Sequence, residues 1–182
     1  MKPCIYVGVD AGIHTGFSIG VVPKRNTTQI LLGESENISE FFHGCLNQAT
    51  ADTNQEMILF TADKVEVLGR QIKELHKQHK LPVKVVIEGV SNFKGKKSVA
   101  TDSGATIKLA YQVGALLIAL EYILVGIERE FVVVEPIIWK GTLSKDVCGR
   151  RIKKAFPQAL KVRNNHSIDA IGLMLFTMGV KF

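Results

Sequence analysis

The sequence predicts an α/β fold, and three observations carry that reading. An apolar, β-prone run over 4–10 leads through a glycine-punctuated turn into a second apolar run over 16–22. Two further β-branched runs lie at 83–87 and 131–134. Segments of helical period fall between and after them, so strands alternate with helices as expected where helices cover a sheet. At 182 residues, 46% of them hydrophobic, the chain has the size of one domain able to bury a core, and a single domain over 1–182 is expected.

Taken in order, the first strand, Cys4-Ile5-Tyr6-Val7-Gly8-Val9-Asp10, ends on a carboxylate. The turn Ala11-Gly12-Ile13-His14-Thr15 leads into the second strand, and Pro23-Lys24-Arg25-Asn26 reads as a polar turn into a third strand at 27–32. These three form an antiparallel meander. Residues 33–55 show no sustained periodicity and read as a loop with one short helix around Ile38, Phe41 and Phe42. Over 61–80, Val65, Leu68, Ile72 and Leu75 recur at three- and four-residue spacing against a charged background, which predicts an amphipathic helix packed on the sheet.

Pro82 ends that helix, and the strand at 83–87 stops at Glu88, the second strand to end on a carboxylate. The segment Ser91-Asn92-Phe93-Lys94-Gly95-Lys96-Lys97-Ser98 is polar, basic and glycine-containing, the composition of an exposed loop. A helix over 103–125 is apolar on much of its circumference and is expected to be buried. It comes closest to a membrane span, but Tyr111, Gln112 and Glu121 interrupt it, and no membrane association is expected. After the strand at 131–134 come Glu135, Pro136 and Trp139-Lys140, then a basic segment, 145–154, with a short helix ended by Pro157. Asn164-Asn165-His166-Ser167-Ile168-Asp169 leads into an apolar helix at 170–178.

Twenty-three Lys and Arg against 17 Asp and Glu, a formal charge of +6, favour a polyanionic partner. Three widely spaced cysteines, Cys4, Cys45 and Cys148, suggest neither a disulfide framework nor a thiolate zinc site, and point to a reducing cytoplasm. The first residues already read as a strand, so no secretory leader is expected.

Asp10 and Glu88 each end a strand, and Asp169 stands near the start of a helix with His166 three residues before it, on the same face of a helical turn. Each alone has an ordinary reading, as a turn cap, a solvated acid or a first-turn acid favoured by the helix dipole. Together they make an oxygen-rich site with one imidazole, suited to Mg²⁺ or Mn²⁺ rather than zinc. Carboxylates from several elements can bridge two such ions about 3.5 to 4 Å apart, the arrangement that hydrolyses phosphodiesters. An acid beside Ala170 and Ile171 on an otherwise apolar helix would be costly to bury without a cation.

Val9-Asp10-x-Gly12 with Gly16, Val86-Ile87-Glu88 and His166-x-x-Asp169-Ala170 resemble the RuvC family of Holliday-junction resolvases, phage-type members included, in the RNase H-like superfamily. The resemblance covers most of the chain and leaves 34–55 as an insertion. It implies an RNase H-like fold: a mixed five-stranded sheet, the antiparallel meander plus two parallel strands, flanked by helices. It implies four positions holding two divalent metals, Mg²⁺ or Mn²⁺, which fall on Asp10, Glu88, His166 and Asp169; the third is Asp in some members and His in others. The family's DNA-contacting lysines match Lys140 and Lys145, after Pro136-x-x-Trp139. Its junction-inserting aromatic has its nearest candidate in Phe93, two residues later than the pattern, and the neighbouring Lys94, Lys96 and Lys97 fit phosphate contacts.

The activity implied is that of a crossover junction endodeoxyribonuclease, a homodimer acting on four-way or other branched DNA in the cytoplasm. Two other readings stay open. The glycine hairpin after Asp10 also resembles the phosphate-binding loop of an actin-like, ATP-binding kinase lobe, although no second such hairpin follows. A catalytically inactive branched-DNA-binding module on the same fold would bind junctions without cutting them.

Overall fold

The computed structural model describes residues 2–12, 14–23, 38–47, 54–90 and 104–182. Its sheet has five strands in the order β3-β2-β1-β4-β5. They are β1 (Cys4–Asp10), β2 (His14–Val22), β3 (Glu40–Asn47), β4 (Val83–Glu88) and β5 (Arg129–Val134). β1, β2 and β3 form an antiparallel meander, while β4 runs parallel to both β1 and β5. The helices are α1 (Asn54–His79), α2 (Ala105–Ile123), the short α3 (Pro136–Trp139), α4 (Lys145–Ala155) and α5 (Asn165–Thr177), with a 3-10 turn over Pro157–Lys161.

The alternation of side chains along β1 and β4 sets the layers. Ile5, Val7 and Val9 of β1, with Val83, Val85 and Ile87 of β4, point to one face. There they pack with Val65, Leu68, Ile72 and Leu75 of α1 and Val113, Leu116 and Leu120 of α2. Cys4, Tyr6 and Val86 point to the other face and pack with α4, the 3-10 turn and α5 through Ile152, Phe156, Ile171 and Met174. Asp10 and Glu88 have the parity of this second face. Val9 pairs with Ile87, so the two carboxylates stand one step further on, at the C-terminal ends of neighbouring parallel strands.

α5 lies against β1 and β2 at very short range, and two glycines permit it. A Cβ at Gly8 would overlap the Ala170 carbonyl, and one at Gly16 would overlap the His166 carbonyl. Ser18 Oγ donates to Ala170 O at 2.9 Å, and Ser167 Oγ donates to Gly44 O at 2.9 Å, tying the helix to β2 and β3.

The sheet and its covering helices match the expected class, but two elements differ. The third strand is Glu40–Asn47, inside the stretch read as a loop and an insertion; the expected strand at 27–32 lies outside the described residues. Glu40-Phe41-Phe42-His43-Gly44-Cys45 alternates poorly because β3, among the described residues, is an edge strand that pairs only with β2. α2 is not buried all round. It is long and apolar enough over Thr106–Ile123 to cross a bilayer, yet Val113, Leu116 and Leu120 pack on the sheet while Ile107, Tyr111, Ile118 and Tyr122 are exposed. One helix face suffices to cover this flank, so the other is left over.

Candidate metal centre

Asp10 arrives at the site on the end of a fully buried strand, and Glu88 on the end of its parallel neighbour. His166 and Asp169 arrive on the first turns of α5. That helix begins at Asn165, earlier than its apolar run alone predicts, because Asn164 caps it: its Oδ1 accepts from the His166 and Ser167 backbone N–H groups at 2.9 and 3.2 Å. The cap fixes the start of the helix, and thereby sets His166 and Asp169 one above the other on the side facing β1.

The contacts are specific. His166 Nδ1 and Asp10 Oδ2 form a hydrogen-bonded pair at 2.8 Å. Lys140 Nζ donates to Glu88 Oε1 at 3.1 Å, and Lys145 Nζ stands 3.7 Å from Asp169 Oδ2. All four residues singled out by the sequence therefore lie together, with the two matched lysines among them. Phe93, Lys94, Lys96 and Lys97 lie outside the described residues.

Burial makes this an electrostatically tense site. Asp10 is 8% exposed, and its carboxyl is pushed up to about 8, first by desolvation and then by Glu88 and Asp169, with Lys140 and Lys145 opposing. Burial also raises Glu88; Lys140 draws it back most, and the Trp139 indole N–H adds to that without completing a hydrogen bond of ordinary geometry. His166 is pushed down by desolvation, by Lys145 and by His14, whose ring lies 5.7 Å away, with Asp169 opposing, which favours the neutral imidazole.

Among the described residues, no three of the His, Cys, Asp and Glu side chains stand ready to hold a metal as arranged. The physical reason is visible: Glu88 is drawn to Lys140, Asp169 faces Lys145, and Asp10 is tied to His166. The chemistry of the set nonetheless fits a divalent cation. Three carboxylates and a neutral imidazole converge, one carboxyl is strained towards protonation, and Glu88 Oε2 is buried with no hydrogen-bond partner.

Two further residues at the site are not among the candidate site residues of the sequence. His14, the first residue of β2, becomes a candidate only because the hairpin brings it to α5. Trp139 is 6% exposed, and the sequence marks it only as part of Pro136-x-x-Trp139 ahead of the basic segment; nothing in the local pattern pairs an indole with an acid 51 residues earlier.

No protein-family model and no curated protein sequence matches the chain. Solved structures do. The chain is similar to the Thermus thermophilus RuvC structure, with a TM-score of 0.56 and 14% identity over 97% of each chain. It is likewise similar to T. thermophilus RuvC in complex with a Holliday junction substrate, with a TM-score of 0.55 and 16% identity over 94% of this chain and 90% of that one. At such identity the likeness is one of fold.

Proposed function

We propose that this chain, on the fold it shares with RuvC, is a divalent-metal-dependent endonuclease that cuts branched DNA, four-way junctions above all. The observation that carries the reading is the convergence of Asp10, Glu88, His166 and Asp169 at one edge of the sheet with Lys140 and Lys145 among them. A RuvC of this fold has been seen with a Holliday junction, which supports that substrate class.

Asp10, Glu88, His166 and Asp169 would hold the cation, Mg²⁺ or Mn²⁺ and as many as two ions. When bound it would neutralise the carboxylates and supply the Lewis acidity for water to attack a phosphodiester. The reaction joins the water oxygen to phosphorus and breaks the bond from phosphorus to one deoxyribose oxygen. His166, joined to Asp10 through Nδ1, sets an imidazole among the carboxylates. Lys140 and Lys145 neutralise Glu88 and Asp169, and with a cation held by those carboxylates their ammonium groups would be free to meet the phosphates beside the scissile bond. From Lys145, α4 carries Arg150, Arg151 and Lys154 outward on its exposed side, continuing the positive charge along a path a DNA arm can follow.

Cutting two symmetric strands calls for two sites, and the exposed face of α2 suits a homodimer. Ile107, Tyr111, Ile118 and Tyr122 recur at four- and seven-residue spacing, with Gly114 between them offering close approach.

The ion-paired state of Glu88 and Asp169 also favours a second reading, a junction-binding module that does not cut. A panel of four-way, flap, fork and linear DNAs at matched salt, with Mg²⁺ or Mn²⁺, tests the proposal. The expected result is preferential nicking of the four-way junction. Equal affinity for linear and branched DNA at every salt concentration contradicts it, and junction binding with no cleavage selects the second reading.

A further inference from the structure

Trp139 is the only tryptophan in the chain and is almost wholly buried. Among the described residues two buried side-chain polar atoms have no hydrogen-bond partner, and they are a donor and an acceptor: Trp139 Nε1 and Glu88 Oε2. An indole N–H can only donate and an ionised carboxylate oxygen can only accept, so the pair is chemically complementary. Buried polar atoms are rarely left unpaired, and two at one site mark an arrangement that a further step completes.

Lys140 shows how close the two groups are. Its Nζ is 3.1 Å from Glu88 Oε1 and 4.8 Å from the centre of the indole ring, so one ammonium stands against both. It occupies Oε1 and leaves Oε2 without a cation. The indole itself cannot turn to follow the carboxylate. A Cβ at Gly172, one turn beyond Asp169 on α5, would lie 2.6 Å from the indole Cζ3, and the Phe182 ring packs edge-on with its centre 6.4 Å away. Glu88, at the end of its strand with a side chain 12% exposed, is the partner able to move.

We propose that Trp139 is a positioning residue for Glu88: as the cation site fills, the Glu88 carboxylate turns from Lys140, Oε2 accepts the Trp139 indole N–H, and Oε1 is aimed at the cation. The inference rests on the metal-site reading above. Groups that orient a ligand in this way typically govern about ten- to a hundredfold of metal affinity.

The lone tryptophan makes the test clean, because a ¹H–¹⁵N spectrum of the full chain contains a single indole N–H signal. Saturating Mg²⁺ is expected to move that signal downfield and slow its exchange with solvent. Calorimetry with Mn²⁺ is expected to show Trp139→Phe binding about ten- to a hundredfold more weakly than wild type. In nicking assays the same variant should recover most of its rate when Mn²⁺ is raised, since the defect lies in holding the ligand. An indole signal unmoved by Mg²⁺ that calorimetry shows to be bound overturns the proposal, as does Trp139→Phe protein with wild-type Mn²⁺ affinity. The NMR arm decides the matter even if the variant does not fold. Failure of the wild type itself to bind either metal overturns the metal-site reading, and this inference with it.

Discussion

Asp10 and His166 lie 156 residues apart in sequence, and His166 Nδ1 is 2.8 Å from Asp10 Oδ2. The pair joins the end of β1 to the first turn of α5, so any change in how that helix sits on the sheet reaches the acidic site directly.

The backbone permits this contact because residue 16 carries no Cβ. Gly16→Ala places a methyl where the His166 carbonyl now lies, and a backbone group cannot step aside as a flexible side chain can. The expected outcome is a loss of stability of about 3 kcal/mol or more, read by urea unfolding, together with weakened Mn²⁺ binding. Gly8→Ala, against the Ala170 carbonyl, should behave alike.

Metal-free protein should lose stability as pH rises. The Asp10 carboxyl titrates near 3.8 when unfolded and about 8 when folded, so between those values the folded state holds a proton that the unfolded state has released. The penalty is absent below about pH 4 and complete above pH 8; Glu88, also raised, adds in the same direction. His166 opposes them, because its lowered pKa makes folding less favourable as pH falls below its ordinary 6.5. The clean window is therefore pH 6.5 to 8, where melting temperature in chelator should fall and added Mn²⁺ should restore it. Asp10→Asn protein should melt above wild type at pH 8 in chelator, with the difference shrinking towards pH 4.

Lys140 should act on DNA through charge. Lys140→Gln is expected to weaken junction binding by a similar factor across sequences and to lower the slope of log affinity against log salt by about 1, read by fluorescence anisotropy over a salt series. Lys145→Gln should show the same change in slope.

The outward face of α2 provides a separate test. Ile118 and Tyr122 are 74% and 82% exposed. Charge at the centre of a homodimer interface disfavours association, whereas charge on a free surface costs little. Ile118→Glu should therefore convert a dimer to a monomer in sedimentation without lowering the monomer's melting temperature.

How much of the fold and the site is legible in the sequence depends on whether the signal is local. β1 and β4 announce themselves as apolar runs, and their terminal acids share a face by simple parity, so Asp10 and Glu88 stand out from the amino-acid sequence alone. β3 does not. Edge position removes the need for alternation, and Glu40–Asn47 owes its strand state to pairing with β2. The start of α5 is readable in principle from Asn164, a good N-cap, but the apolar run that draws the eye begins five residues after the helix does. That α2 is apolar on much of its circumference is plain, yet composition cannot say whether a helix is covered by its own chain or presents a face outward. The Trp139–Glu88 relationship leaves no trace in the sequence, since it exists only where α3 meets the end of β4.

The most direct measurement is strand nicking of a synthetic four-way junction by wild type and by Asp169→Asn, with Mg²⁺ and with chelator. Cleavage is expected from the wild type in Mg²⁺ alone, with a loss of at least about 100-fold in Asp169→Asn protein that still binds the junction. Cleavage that persists in chelator, or that survives the Asp169→Asn change, would contradict the proposed function.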